Sequence, residues 1–461
     1  MQDNCAVILA AGDGKRMKSK KPKVLCEVLF TPMLAWVIAS CEQAELTNLC
    51  VVTGNGADQV EAFLEGNYRT VLQSERRGTG HAVMMAREYL REFAGGNVLV
   101  LCGDAPFMDA GTIQSALEVH TRQNNAVTVI TAELDEPGGY GRILRNDSGI
   151  AGIVEQKDAD EDQLLIREVN SGTYWFKTDD LLAVLEELTC DNAQGEYYLT
   201  DTVALLLNKG KKAGAYCADN SDVILGANDR KTLCELNEIA RDRILEAHMA
   251  NGVEFVTTDG VVIAPSVQIG AGTTILPGTI LRGYTEIGEN CVIGPNTLLE
   301  DTFVGDGTVL NAVQAYQSKV HSQVKIGPFT HLRPGSEIKS HVKIGDFVEV
   351  KNSVIGEGTA VAHLTYVGDS DVGKNVNFGC GTVTVNYDGV NKFRTQIGDD
   401  AFIGCNTNLV APVKVGNGAY TAAGSTVTKD VPDGALAIAR SKQENKEGFA
   451  ERKLRDRKKK V

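Results

Sequence analysis

The chain has 461 residues, 43% of them hydrophobic and 23% charged, and a formal charge of −14. This is the composition of a folded globular protein too long for one ordinary core, and its acidity excludes a general nucleic-acid-binding surface, which draws on clustered Lys and Arg. No run of about twenty apolar residues is present to span a membrane, and eleven cysteines without a CxxC pair read as free thiols of a reducing cytoplasm.

The apolar run Cys5 to Ala11 is short, follows Asp3 and runs into Gly12, so it reads as a buried strand and not as a leader. From there strand-like runs (6–9, 49–53, 98–102, 126–131) alternate with amphipathic helical stretches such as 31–43 and 80–93. Alternation of this kind predicts a parallel α/β sheet that binds its ligand beyond the carboxyl ends of the strands.

Directly after the first strand comes Leu9-Ala10-Ala11-Gly12-Asp13-Gly14-Lys15-Arg16-Met17, then Lys20-Lys21-Pro22-Lys23. Small residues let backbone N–H groups approach a polyphosphate, and Arg16 and Lys23 supply positive charge. The loop lacks the third glycine of a dinucleotide fingerprint and the GK[ST] of a P-loop. Cys102-Gly103-Asp104 closes a strongly apolar strand. Asp104 there can cap the next helix or hold Mg²⁺ against substrate phosphates, and its position opposite a phosphate loop favours the metal.

Residues 229–250 carry Leu233, Leu236, Ile239, Ile244 and Leu245 among charges with no Pro or Gly, the pattern of one amphipathic connecting helix. Beyond it aliphatics recur every six residues at Ile263, Ile269, Ile275, Leu281, Ile287, Ile293 and Leu299. The beat returns at Ile326, Leu332, Ile338, Ile344 and Val350, shifts by one to Ile355, Val361 and Val367, and resumes at Ile397, Ile403, Leu409 and Val415. Neither a helix nor an ordinary strand has this period; a coil of short strands, each burying one aliphatic per face, does, and it predicts a parallel β-helix. Segment 377–389 breaks the beat and reads as a loop excluded from the coil. His363 falls near a corner, with Arg333, Lys351, Tyr366 and Asn377 around it. A lone histidine is often structural, yet one flanked by Arg and Lys pairs a base with an anion pocket, as amine acetylation requires. The tail cluster Arg452, Lys453, Arg455, Arg457, Lys458, Lys459 and Lys460 offers either a short nucleic-acid contact or a frayed, solvated terminus, and reads as the latter.

The ordered set Leu9 to Gly12, Lys23, Gln73, Gly78-Thr79, Gly103-Asp104, 139–142, Glu155, Asn170 and Asn228 resembles the sugar-1-phosphate nucleotidyltransferases. Joined to hexapeptide repeats, it resembles the family of bacterial bifunctional N-acetylglucosamine-1-phosphate uridyltransferase/glucosamine-1-phosphate N-acetyltransferases over nearly the full chain. The resemblance implies a Rossmann-like nucleotidyltransferase domain (1–228), a helical linker (229–250) and a left-handed β-helix acetyltransferase domain (251–461). It implies that Leu9, Ala10, Ala11, Gly12, Lys23, Gln73, Gly78 and Thr79 hold UTP, that Gly141, Glu155, Asn170 and Asn228 hold the acetylated sugar phosphate, and that Asp104 and Asn228 bind Mg²⁺. Arg16 and Lys23 then assist catalysis. In the second half it implies His363 as general base, Arg333, Lys351, Tyr366 and Asn377 around the amino-sugar phosphate, and Cys380, Asn386, Tyr387, Cys405, Ala423 and Arg440 along acetyl-CoA.

The same resemblance implies a cytoplasmic homotrimer with acetyltransferase sites between subunits, feeding cell-envelope synthesis, with glucosamine-1-phosphate, acetyl-CoA and UTP as its small-molecule partners. Lys15 stands where the family commonly has a small hydroxyl residue, and Cys380 and Cys405 where Ala and Ser are familiar. A Cys-borne acetyl-enzyme is disfavoured because no base adjoins either cysteine in sequence. Two other readings stand beside this one: a single-activity nucleotidyltransferase with the β-helix as oligomerisation scaffold, and a non-catalytic assembly subunit.

Overall fold

The structure, a computed structural model, describes residues 4–147 and 149–458; Lys459 and Lys460 of the basic tail lie outside them. The chain divides into two compact units, 1–242 and 243–461. Among the described residues no helix is long and apolar enough to cross a membrane.

In the first unit the central sheet runs, in spatial order, Ala213–Cys217, Val127–Glu133, Glu168–Lys177, Asn97–Cys102, Asn4–Ala10, Leu49–Thr53, Arg69–Leu72. Asn4–Ala10 lies in parallel between Asn97–Cys102 and Leu49–Thr53, as the alternating pattern predicts. The sheet is mixed, however, because Glu168–Lys177 runs antiparallel to both of its neighbours. It also pairs antiparallel with Arg142–Asn146, the first strand of the hairpin completed by Gly149–Val154, and local pairing of this kind is invisible to a helix–strand alternation count. Two apolar layers cover the sheet faces: Val7, Val98 and Phe176 belong to one, and Ala6, Leu99 and Trp175 to the other. That opposition follows from the two-residue period of a strand. The stretch 80–93, expected as one helix, is broken into Thr79–Met85 and Arg87–Arg91.

The helix Arg230–Ala250 is amphipathic as expected: Leu233, Leu236, Ala240 and Leu245 are buried, while Cys234, Glu235 and Glu238 are exposed. Within the first unit its start is tied down by Arg230, whose Nε donates to the Met17 carbonyl at 3.1 Å, and by Asn237, whose Oδ1 accepts from the Leu29 N–H at 2.9 Å.

The second unit is a left-handed β-helix whose strands form three parallel sheets of 11, 10 and 9 strands, each strand bonding to the one a full coil away. The aliphatic beat builds its axial core, which runs from Val261 to Val431. The beat vanishes from the sequence between Leu299 and Ile326 because the coils there are shorter: Leu281 pairs with Leu299 eighteen residues on, but Leu299 pairs with Ala315 only sixteen on. Val304, Leu310, Ala315 and Val320 carry the core through that stretch. The interruption expected at 377–389 is narrower and later. Asn377–Phe378 and Val383–Val385 remain in register, and the chain leaves the coil only at a small hairpin in which the Phe393 N–H donates to the Asn386 carbonyl at 2.9 Å. Phe449–Lys458 is a helix with the Arg452, Lys453, Arg455 and Arg457 side chains exposed, so this part of the tail is solvated but not frayed.

Candidate active sites

The first unit opens a cavity of about 500 Å³ lined by Leu9, Ala11, Gly12, Arg16, Lys23, Gln73, Gly78, Thr79, Asp104 and Asn228. Strand and loop geometry place them. Leu9, next to last in the strand Asn4–Ala10, lies beside the chain leading to Asp104, where the Gly103 N–H donates to the Leu9 carbonyl at 2.9 Å. Ala10 is the exception among the residues expected to hold UTP: its side chain lies in the core, because Leu9 and Ala11 occupy the alternate face. Two glycines are required by close approach and by positive φ. At Gly14 (φ 56°) an added Cβ would lie 2.8 Å from the Lys23 Cβ, and at Gly78 (φ 104°) 2.5 Å from the Tyr197 carbonyl oxygen.

Lys23 is the electrostatic centre. Its ammonium forms an ion pair with Asp104 and donates to Asn228 Oδ1 at 2.7 Å. The carboxylate and the amide oxygen thus converge on one cation position. A hard-oxygen pair of this kind fits Mg²⁺, which keeps waters and substrate phosphates as its remaining ligands; among the described residues no group of three His, Cys, Asp or Glu offers a fuller protein cage. Gln73 is buried, and its amide Nε2 donates to the Gly78 carbonyl at 3.1 Å, so it braces the loop that opens the helix Thr79–Met85. Sequence reasoning passed over Asp13 and Arg76, which form an ion pair on the cavity wall. The signal was present: Arg76 lies between Gln73 and Gly78, both of which were singled out.

Gly141, Glu155 and Asn170 form a separate cluster outside that cavity. The Asn170 N–H donates to the Gly141 carbonyl at 2.9 Å, and a Cβ at Gly141 would lie 3.6 Å from the Glu155 carboxyl carbon. Burial raises the Glu155 carboxyl above its usual range, only partly opposed by the Thr200 hydroxyl at 3.4 Å. Through the register shift between Asn170 and Tyr174 this cluster is linked to the cavity wall: Asn170 Oδ1 accepts from the Gly172 N–H at 3.0 Å, and Cys102 of the cavity wall donates to the Gly172 carbonyl at 3.9 Å.

In the second unit the decisive contact is His363 Nδ1 to Asp346 Oδ1 at 2.8 Å. The two are register partners in neighbouring coils, seventeen residues apart. That hydrogen bond holds the Asp346 carboxyl below its usual range; the ionised carboxylate only accepts, so Nδ1 is the donor, and the neutral imidazole held this way carries its lone pair on Nε2. Asp346 was not foreseen, since its partnership depends on coil length and not on any local motif. Beside the pair is a hollow of about 360 Å³ walled also by Lys325 and Lys343, register partners that the sequence reading likewise missed.

The other expected residues fall around the corner turned at Leu364 (φ 46°). Arg333 pairs with Glu349 at 2.9 Å and Lys351 with Asp369 at 3.2 Å on the adjoining sheet, where Tyr366 covers Gly368. Burial acts to raise the Asp369 carboxyl, but hydrogen bonds from Asn352, Asn386 and Lys351 outweigh it and hold the group below the usual range. Asn386 is thereby engaged internally, whereas Tyr387 is exposed on the hairpin and Asn377 on the sheet of His363. Cys380, Cys405 and Ala423 follow one another at one corner, with the Asn406 N–H donating to the Cys380 carbonyl and the Gly424 N–H to the Cys405 carbonyl, both at 2.8 Å. The Arg440 side chain passes beside Gly424. The structure therefore unites His363, Asp346 and the two lysines in one hollow, and distributes Arg333, Lys351, Tyr366 and the Cys380–Arg440 group over neighbouring surfaces.

Comparison with known proteins agrees with both halves. The nucleotidyl transferase family profile matches residues 5–226, and the bacterial transferase hexapeptide (six repeats) profile matches 266–301 and 394–429. The protein named bifunctional protein GlmU from Caldanaerobacter subterraneus subsp. tengcongensis is 51% identical over 456 residues, covering 99% of each chain. That of Geobacillus sp. is 49% identical over 448 residues and that of Acetivibrio thermocellus 48% over 449, each covering 97% of both chains.

Proposed function

The chain belongs to the bifunctional GlmU family, acetylating glucosamine-1-phosphate with acetyl-CoA and transferring UMP from UTP to the resulting N-acetylglucosamine-1-phosphate, and we propose how its residues divide that work. Residues 1–228 carry uridyl transfer, 229–250 connect, and 251–461 carry acetyl transfer.

In the first unit the loop from Leu9 to Gly12, with Gln73, Gly78 and Thr79, receives UTP, and Gly141, Glu155 and Asn170 receive the acetylated sugar. Lys23 and Arg16 align the triphosphate and offset its charge while a sugar-phosphate oxygen attacks the α-phosphorus and pyrophosphate leaves. Mg²⁺ bound by Asp104 and Asn228 supplies further charge neutralisation on the phosphates. The observation that carries this half is the convergence of Asp104 and Asn228 oxygens on one cation position.

In the second unit His363 removes the proton from the amino group as it attacks the thioester carbonyl, and coenzyme A leaves as the thiol. Asp346 positions the imidazole with Nε2 toward the substrate. Arg333, Lys351, Tyr366 and Asn377 hold the amino-sugar phosphate, and Cys380, Asn386, Tyr387, Cys405, Ala423 and Arg440 line acetyl-CoA. We propose, from the family resemblance, that the working form is a homotrimer acting in the cytoplasm, in which neighbouring copies complete each acetyltransferase site; the spread of these groups over several surfaces of one chain supports that reading.

The test is to supply glucosamine-1-phosphate, acetyl-CoA, UTP and Mg²⁺ and follow thiol and pyrophosphate separately in the wild type, His363→Ala and Asp104→Ala. The reading stands if His363→Ala abolishes thiol release alone and Asp104→Ala abolishes pyrophosphate release even when acetylated sugar is supplied. Pyrophosphate from pre-acetylated sugar with no thiol release from the wild type would make the β-helix a scaffold.

A further inference from the structure

One pair of thiols is placed unlike the other cysteines. Asn377 pairs with Phe402 and Phe378 with Ile403 on one side of a corner, and Val383 pairs with Asn408 on the other. The offset is the same twenty-five residues on both sides, so the register sets Cys380 directly against Cys405 in the next coil. Neighbouring strands stand about 4.8 Å apart, within the Cα separation that a disulfide spans. The approach is close here: a Cβ on Gly379 would lie 2.8 Å from the Cys405 Cα. Cys405 is exposed, Cys380 is partly exposed, and both are free thiols.

The remaining cysteines lack this combination. Cys5, Cys41 and Cys50 are buried, and burial pushes each thiol up to about 12. Cys26 and Cys291 are buried as well. Cys102, Cys190, Cys217 and Cys234 are reachable, but Cys102 pairs with Leu9, Cys217 pairs with Thr131, and Cys190 and Cys234 lie outside the stacked coils. The register that pairs Ala360 with Asn377 and Val361 with Phe378 also sets His363 in the coil before Cys380, so Cys380 lies one coil beyond the base of the acetyltransferase reaction and Cys405 two.

We propose that Cys380 and Cys405 are a redox modification site: they form a reversible disulfide within one chain that closes the acetyl-CoA site. The inference rests on the acetyltransferase reading given above. The oxidant is a low-molecular-weight disulfide. The Cys405 thiolate attacks one of its sulfurs, and the first small thiolate departs and takes up a proton. Cys380 then attacks the Cys405 sulfur of the mixed disulfide, losing its proton and expelling the second small thiol. Two protein thiols become one disulfide and the small disulfide becomes two thiols, so electrons and protons balance. The bridge ties together two positions along the acetyl-CoA path and leaves the nucleotide cavity untouched, so it switches off one activity only.

The test uses the full-length protein treated with oxidised glutathione, then alkylated, digested and weighed, with thiol release and pyrophosphate release assayed on the same samples. The expected result is a Cys380–Cys405 linked peptide pair from protein that runs as one chain on a non-reducing gel. Acetyl transfer is lost, uridyl transfer from pre-acetylated sugar is retained, and dithiothreitol restores the former. Separate glutathione adducts, a bridge between two chains, or a bridged protein with undiminished acetyl transfer would each overturn the proposal. A reduced protein with no acetyl transfer would instead refute the acetyltransferase reading, while the peptide masses still decide whether the bridge forms.

Discussion

The two sites are built on opposite plans. In the first unit, side chains separated by as many as 205 positions, from Lys23 to Asn228, meet around a single ammonium inside a cavity of about 500 Å³. In the second, the working groups are register partners such as Asp346 and His363, stacked one coil apart on an open corner. Convergence makes a site that one chain completes, in which every member feels the loss of another. Stacking makes a site that is easy to extend along the coil, but it leaves groups such as Arg333 and Lys351 on a different sheet from His363.

The strongest way to break this comparison is to remove one centre from each plan. Asp104→Ala is expected to lower pyrophosphate release by on the order of 10²–10³-fold with thiol release unchanged. His363→Ala is expected to lower thiol release by on the order of 10²–10⁴-fold with pyrophosphate release from acetylated sugar unchanged. If either variant depresses both activities alike, the units do not work independently.

A sharper question concerns the cation position. Lys23→Met removes the ammonium that now bridges Asp104 and Asn228. Mn²⁺ binding without nucleotide, followed by electron paramagnetic resonance, should tighten by at least about tenfold, since a competing charge a few ångströms away is gone. Unaltered Mn²⁺ affinity would show that the lysine and the metal do not share the place. A smaller effect is expected at Gly14→Ala, where positive φ and contact with Lys23 together should cost about 1–3 kcal/mol, read as a lower melting temperature.

The smallest expected effect is on the pH dependence of β-helix stability. Asp369 has a folded-state pKa below its unfolded value, so its contribution is present above the unfolded value and is lost as pH falls through the depressed one. Thermal melts of Asp369→Asn should therefore lose less stability on acidification than those of the wild type. Parallel acid-limb curves for the two proteins would show that the Lys351, Asn352 and Asn386 contacts add nothing.

Much of this contrast is legible in the sequence, and unequally so. The nucleotide loop, Lys23 and Asp104 announced themselves because their chemistry is local: small residues, a fixed proline and a strand-end carboxylate. The β-helix core was legible because an axial aliphatic repeats with each face. What escaped depends on register. Asp346 is an ordinary carboxylate until a coil of seventeen residues brings it to His363. Lys325 and Lys343 form a wall only because their strands pair. The antiparallel Glu168–Lys177 strand escaped for a related reason, as its direction is set by long-range pairing and not by its own composition.

The small hairpin after Val385 has a consequence for how such a protein can change its length. Each coil must return the chain to the same place, so an insertion within a face displaces every aliphatic beyond it from the axis. At the hairpin the chain departs and rejoins under the Arg394 guanidinium, which grips Asp371 and donates to the carbonyls of Asn352 at 3.1 Å and Ser370 at 3.2 Å. Residues gained or lost between Tyr387 and Lys392 leave that clasp and the stacking on both sides intact. Descendants of this gene can thus lengthen or trim the rim of the proposed acetyl-CoA site as an indel, without renegotiating the scaffold that carries it.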